Sequence, residues 1–192
     1  MSVMKLSFLG TGYVGLVSGA CMAEIGHTVI CADVDKMKIA KLKKGVVPIH
    51  EIGLEEIVER NMKEGRLSFT TDLKVAIQSS DIVFMAVGTP EDPATGEADL
   101  KYVFAAAETF GRHLNGFKLF VDKSTVPVGT AEQVTEIIKQ ASKGTRPFEV
   151  VSNPEFLREG AAVKDFLNPD RVIVGATSVK AGKLMEQIYR PI

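Results

Sequence analysis

The stretch Lys5-Leu6-Ser7-Phe8-Leu9-Gly10-Thr11-Gly12-Tyr13-Val14-Gly15 decides how the rest of the chain is read. An apolar pentapeptide runs into the spacing G-x-G-x-x-G, and a run of small apolar residues from Tyr13 to Ile25 follows. The first glycine permits a tight turn, the second lets a pyrophosphate approach the backbone, and the third lets helix and strand pack closely. The helix that follows offers that anion unpaired amides and the positive end of its dipole. The spacing alone is a weak signal, since glycine-rich turns are common. Here a strand pattern precedes it directly and a helix pattern follows it directly.

A second strand pattern, Thr28–Ala32, ends at Asp33, 18 residues beyond Gly15. A carboxylate there accepts hydrogen bonds from the adenosine ribose hydroxyls and repels a 2′-phosphate, which favours NAD over NADP. Lys38, one turn into the next helix pattern, softens that exclusion. The competing reading of Asp33 is a helix cap beside Asp35.

Apolar runs continue to alternate with helical patterns. Strands are expected at Leu67–Thr70, Asp81–Val87, Lys118–Asp122, Phe148–Ser152 and Arg171–Val174. Helices are expected over 35–43, 54–64, 73–78, 100–113, 130–142 and 179–189. Nearly continuous Val/Ile/Leu/Phe strands separated by helices imply a mostly parallel sheet buried on both faces. The expected fold is doubly wound, Rossmann-like α/β, with residues 1–192 forming one domain. Ligands of such folds sit beyond the carboxyl ends of the strands.

Composition narrows the classes of function. Hydrophobic residues make up 45% of the 192 and charged residues 24%, so a buried core is expected. Lys and Arg total 23 against 24 Asp and Glu, a net charge of -1, which argues against a general nucleic-acid binder. No apolar run approaches the ~20 residues that span a bilayer, and the start from Met1 lacks the pattern of a cleavable signal peptide. Cys21 and Cys31 read as buried, reduced thiols, and a cytoplasmic location is expected. His27, His50 and His113 lack metal-ligand spacing, so no metal is expected.

The loops after the later strands carry the remaining candidates. Gly88-Thr89-Pro90 follows the fourth strand, and the polar loop beyond it ends at a helix cap, Asp99. Lys123-Ser124-Thr125 follows the fifth, with two hydroxyls on the ligand edge and a lysine that is either solvated or part of the site. Ser152-Asn153-Pro154-Glu155-Phe156-Leu157-Arg158-Glu159-Gly160 follows the sixth. If that segment is helical, Glu155 and Glu159 share a face. A carboxylate in a dry cleft can serve as a general base; the competing reading is a capped helix start with both glutamates solvated.

Five blocks in this order, GTGYVG, VGTP with GEADL, KSTVPVGT, SNPEFLREG and NPDRVIVG, resemble the nucleotide-sugar dehydrogenases of the UDP-glucose/GDP-mannose dehydrogenase family. The resemblance implies oxidation of a sugar C6 alcohol to a carboxylate with two NAD per turnover. The aldehyde is trapped by a cysteine, and the thioester formed next is hydrolysed. By resemblance, Gly10, Gly12, Tyr13, Val14 and Gly15 bind the pyrophosphate, and Asp33 and Lys38 lie near the ribose. Thr89, Ser124, Thr125 and Glu159 line the NAD pocket. Glu155 activates water with Thr125 nearby, and Glu155, Phe156, Leu157, Arg158 and Glu159 contact the nucleotide sugar. UDP-glucose is the expected substrate; GDP-mannose and a UDP-N-acetylhexosamine are the alternatives, and a stand-alone, non-catalytic NAD-binding module is the rival of another class. The family nucleophile and its helper lysine and asparagine lie in later segments, and no cysteine follows Cys31. The chain is therefore expected to be the N-terminal half of such an enzyme, binding NAD without turnover. The full enzyme is expected to be a homodimer.

Overall fold

The computed structural model describes residues 3–192; Met1 and Ser2, at the head of the stretch read above for a targeting segment, lie outside the described residues. β1 (Lys5–Leu9) leads into α1 (Tyr13–Glu24), and β2 (Thr28–Ala32) into α2 (Lys36–Leu42) and α3 (Leu54–Lys63). β3 (Leu67–Thr70) precedes α4 (Leu73–Gln78), β4 (Ile82–Met85) precedes α5 (Lys101–His113), and β5 (Lys118–Asp122) precedes α6 (Thr130–Ala141). β6 (Phe148–Ser152) precedes α7 (Ala162–Leu167), and the two-residue β7 (Gly175–Ala176) precedes α8 (Val179–Tyr189).

The strands form one sheet in the order β3-β2-β1-β4-β5-β6-β7, parallel through β6 and antiparallel at the last pair. The chain builds outward from β1 to β3 and then returns to lay β4 on the other side of β1. The carboxyl ends of β1 and β4 thus form the switch point, where doubly wound sheets open a crevice.

Both faces of the sheet are covered. Leu6 and Phe8 belong to a core shared with α1, α3, α7 and α8. Leu9, Val83, Met85 and Phe120 pack under α4, α5 and α6. Helix α1 is buried at every residue from Gly15 to Ala23, so its small side chains are a packing requirement. A Cβ on Gly19 would strike the Cys31 sulfur. Cys21 and Cys31 are both free and buried. His27 is buried and satisfied: Nδ1 accepts from the Met4 amide at 3.3 Å, and Nε2 lies 3.0 Å from the Ile188 carbonyl oxygen, tying α8 to the start of the sheet. Polar caps start several helices. Asp35 accepts from the Met37 and Lys38 amides, Asp72 from Val75 and Ser178 from Ala181. The expected cap of α5, Asp99, lies one residue early: the cap position is Leu100, which makes no side-chain bond, and Asp99 accepts from the Lys101 amide just inside the helix.

A second expectation is corrected. Arg171–Val174 is not a strand; the sheet gains only Gly175–Ala176, antiparallel to β6. The Ile173 carbonyl accepts from the Asn153 side-chain amide at 2.8 Å rather than joining a ladder, and Val172 and Ile173 are exposed. Nor is the segment from Glu155 to Glu159 helical; the helix there, α7, begins at Ala162.

Phe8 and Phe84 stack across β1 and β4 with ring centroids 4.6 Å apart and planes within 4°. Both are fully buried. Phe8→Ala is expected to cost about 3–5 kcal/mol, read as the fall in unfolding free energy in urea.

Candidate functional site

Because the strands run parallel, the loops after β2, β1, β4, β5 and β6 line up along one edge of the sheet in that order. Every candidate from the sequence lies in one of these loops or at the helix start just beyond it. At the switch point Gly10 has φ +100° and its missing Cβ would lie 2.6 Å from the Ala86 carbonyl oxygen. A Cβ on Gly15 would collide with the Gly10 carbonyl oxygen. Gly12, the residue before α1, has open space where a Cβ would stand, and no side chain caps the helix. The free amides and positive dipole end of a buried helix therefore face an open edge, which is the arrangement an anion needs. The first turn of α1 carries no acidic residue to oppose one.

Asp33 stands beside this loop. Its Oδ2 accepts from the Thr11 amide at 2.8 Å and the Thr11 hydroxyl at 2.7 Å, and the Lys38 ammonium lies 3.2 Å away. Burial pushes this carboxyl up, but bonds from the Asp35 amide, Thr11 and Lys38 outweigh it and hold it below the usual carboxylate range. The cap of α2 is Asp35, so Asp33 is not the helix cap.

The β4 and β5 loops are stitched together. The Thr89 hydroxyl donates to the Thr125 carbonyl at 3.0 Å, and the Ser124 hydroxyl to the Val87 carbonyl at 2.7 Å. Thr125 itself is exposed at the edge. Lys123 is not solvated: it is 4% exposed, with its ammonium 3.4 Å from Asn153 Oδ1. Burial pushes its pKa down to about 8, against the charge of Glu155.

Carboxylates organise the segment after β6. Pro154 lacks a donor and disfavours helix at Asn153. Glu155 Oε2 accepts the Leu157 amide at 2.6 Å. Asp165 accepts the Arg158 amide at 3.2 Å and both arms of its guanidinium, at 2.9 and 2.7 Å. That arginine holds the Asp165 carboxyl down at about 2. Phe156 and Glu159 are exposed. Beneath the segment lies a cavity of about 510 Å³, lined by Lys123, Asn153, Glu155, Phe166 and Arg171 among others. Glu155 and Glu159 do not form a paired face, because the segment is not helical: the amides of Leu157, Arg158 and Gly160 bond side chains.

Among the described residues, no group of three or more His, Cys, Asp and Glu is gathered to hold a metal ion. No helix among them is long and apolar enough to cross a membrane.

Residues 4–192 match the family model described as UDP-glucose/GDP-mannose dehydrogenase family, NAD binding domain. The chain belongs to that family. It is 56% identical over 187 residues to the UDP-glucose 6-dehydrogenase TuaD of Bacillus subtilis, covering 97% of this chain and 40% of that protein. It is 51% identical to the UDP-glucose 6-dehydrogenase of Rhizobium meliloti, covering 98% of this chain and 44% of that one. Among solved structures it is similar to a UDP-glucose dehydrogenase from Pyrobaculum islandicum, with TM-score 0.94, 42% identity and coverage of 98% of this chain and 44% of that one. A GDP-mannose dehydrogenase from Pseudomonas aeruginosa, solved as a ternary complex, has TM-score 0.93 at 39% identity, with the same coverage. The chain thus spans less than half the length of these dehydrogenases.

One residue at the site has no local signature in the sequence. Glu51 is buried and accepts from the Tyr13 phenol, the Gly160 amide and the Ala162 amide. Nothing in Pro48-Ile49-His50-Glu51-Ile52-Gly53 announces this, because its partners are 38, 109 and 111 residues away.

Asp122, at the carboxyl end of β5, is buried, and burial pushes its carboxyl up to about 7 against one bond from the Ser124 amide. The folded chain therefore holds a proton that the unfolded chain releases near pH ~4. Its contribution to stability is fully present below that pH and is lost as pH rises through about 7. Asp122→Asn keeps the acceptor for Ser124 and removes the charge. Relative to wild type it is expected to gain more than about 1 kcal/mol between pH 5 and pH 8, read from urea unfolding at both pH values.

Proposed function

We propose that this chain holds NAD across the carboxyl edge of its sheet and forms the cofactor-binding half of an enzyme oxidising UDP-glucose to UDP-glucuronate. The observation that carries this reading is the uncapped start of α1 at the switch point, with Gly12 open above it and the Asp33 carboxylate beside it. The residues fit the cofactor. The amides following Gly12 meet a pyrophosphate, with Tyr13 and Val14 in the first turn and Gly10 and Gly15 keeping strand and helix close. Asp33 exchanges its bonds to Thr11 and Lys38 for the ribose hydroxyls. Thr89, Ser124, Thr125 and Glu159 line the further part of the site.

When bound, NAD supplies the hydride acceptor. The protein's own part is to orient and to move protons. Glu155 has one oxygen fixed by the Leu157 amide, which leaves the other to accept a proton from a water shared with Thr125. Phe156, Leu157, Arg158 and Glu159 follow along the same edge to meet the nucleotide sugar. The names of the Bacillus and Rhizobium relatives support UDP-glucose; the likeness to the Pseudomonas structure supports GDP-mannose as the second reading. We further propose a cytoplasmic enzyme whose longer form is a homodimer.

Cys21 and Cys31 are fully buried, and burial pushes each thiol up to about 12. Neither supplies a thiolate at neutral pH, so the chain by itself is expected to give no sustained NADH from UDP-glucose and NAD. Steady NADH formation would overturn that. Calorimetric titration is expected to show saturable binding of NAD, clearly tighter than NADP; a folded chain that binds neither would overturn the cofactor reading. Asp33→Asn is expected to weaken NAD by at least about tenfold and to narrow the gap to NADP, in the same titration.

A further inference from the structure

Helix α7 begins without a cap of its own: Ala161, the residue before it, makes no side-chain bond to the first turn. The missing acceptor comes from Glu51, in the loop before α3. Oε2 of Glu51 accepts the Ala162 amide at 3.0 Å, and Oε1 accepts the Gly160 amide at 2.6 Å. The same Oε1 accepts the phenol of Tyr13 at 2.6 Å. Tyr13 is the first residue of α1, the point at which the cofactor's pyrophosphate is read to bind. Gly160, at φ +83°, closes the turn that carries Glu155 and Glu159. One buried carboxylate therefore bonds both the start of the cofactor helix and the end of the substrate segment, two parts of the chain that also pack together through α1 and α7.

We propose that Glu51 is a positioning residue that couples dinucleotide binding at α1 to the ordering of residues 153–162. This rests on the cofactor reading above. A carboxylate oxygen shared between two donors transmits a shift of either one to the other. An anion that fixes the backbone at Gly12 and Tyr13 fixes the phenol, and the phenol fixes the oxygen that Gly160 needs. The coupling is reciprocal, so an ordered 153–162 segment also favours the cofactor. A carboxylate serving only as a structural brace would hold Gly160 and Ala162 equally with and without NAD.

The test is amide hydrogen exchange, read by mass spectrometry on peptides spanning 153–162, with and without saturating NAD. Wild type is expected to exchange at least about fivefold more slowly over residues 160–162 when NAD is bound. Glu51→Gln keeps the size and one acceptor oxygen but cannot serve all three donors. It is expected to bind NAD more weakly than wild type and, at saturation, to slow exchange by less than about twofold. NAD binding by wild type with no slowing at 160–162 overturns the proposal, and so does undiminished slowing in Glu51→Gln. If Glu51→Gln proves unfolded by circular dichroism, the wild-type comparison decides. Failure of wild type to bind NAD at all in the parallel titration is a separate result, which overturns the cofactor reading and this inference with it.

Discussion

A Cβ at Gly10 would lie 2.6 Å from the Ala86 carbonyl oxygen, and much of the molecule follows from its absence. β1 and β4 pair along their length, and the chain leaves β1 at a positive φ with Gly10 pressed against the backbone that leaves β4. That close approach turns α1 inward, so that the helix is buried along its length and aims its free amides at the edge of the sheet. Beside it the loop after β2 reaches the glycine turn through Asp33 and Thr11, and the loop after β5 is bonded to the loop after β4. A side chain at Gly10 would push the turn off the backbone after β4, and one at Gly15 would push the helix off that turn.

The loops around that crevice are held mainly by carboxylates accepting backbone amides. Asp33 holds Thr11 and Asp35, Glu155 holds Leu157, Asp165 holds Arg158, and Glu51 holds Gly160 and Ala162. Bonds to an ionised acceptor are shorter and stronger than those between neutral groups, and an irregular loop needs them because no ladder satisfies its amides. They also keep negative charge close to the place where an anionic cofactor is read to bind. The free amides of α1 offset that charge, as does Lys38 beside Asp33.

The alternation of strands and helices was legible because burial on both faces leaves unbroken apolar runs, and the glycine loop because each of its glycines answers a separate steric demand. Whether the segment after β6 is helical was open in the sequence, and a local reason decides it. Glu155, Arg158 and Glu159 are good helix formers, yet Pro154 precedes them, and the amides of Leu157 and Arg158 bond side chains. Arg171–Val174 was misread because its branched residues suit a strand, while Asn153 takes the Ile173 carbonyl. The position of Lys123 was open in the sequence, since one lysine after a strand is compatible with either solvent or a site.

The sequence by itself determined the doubly wound sheet, the switch-point turn, the carboxylate at the end of β2 and the family, because each depends on residues close together along the chain. Only the tertiary structure decided that Glu51 joins Tyr13 to Gly160 and Ala162, that Asn153 holds Ile173, that Lys123 is buried beside Asn153 and that Asp122 is held in a desolvated position. These depend on groups up to 111 residues apart. The physical reason is that a hydrogen bond or a desolvation is set by distance in space, and no local pattern records which distant amide a carboxylate will meet.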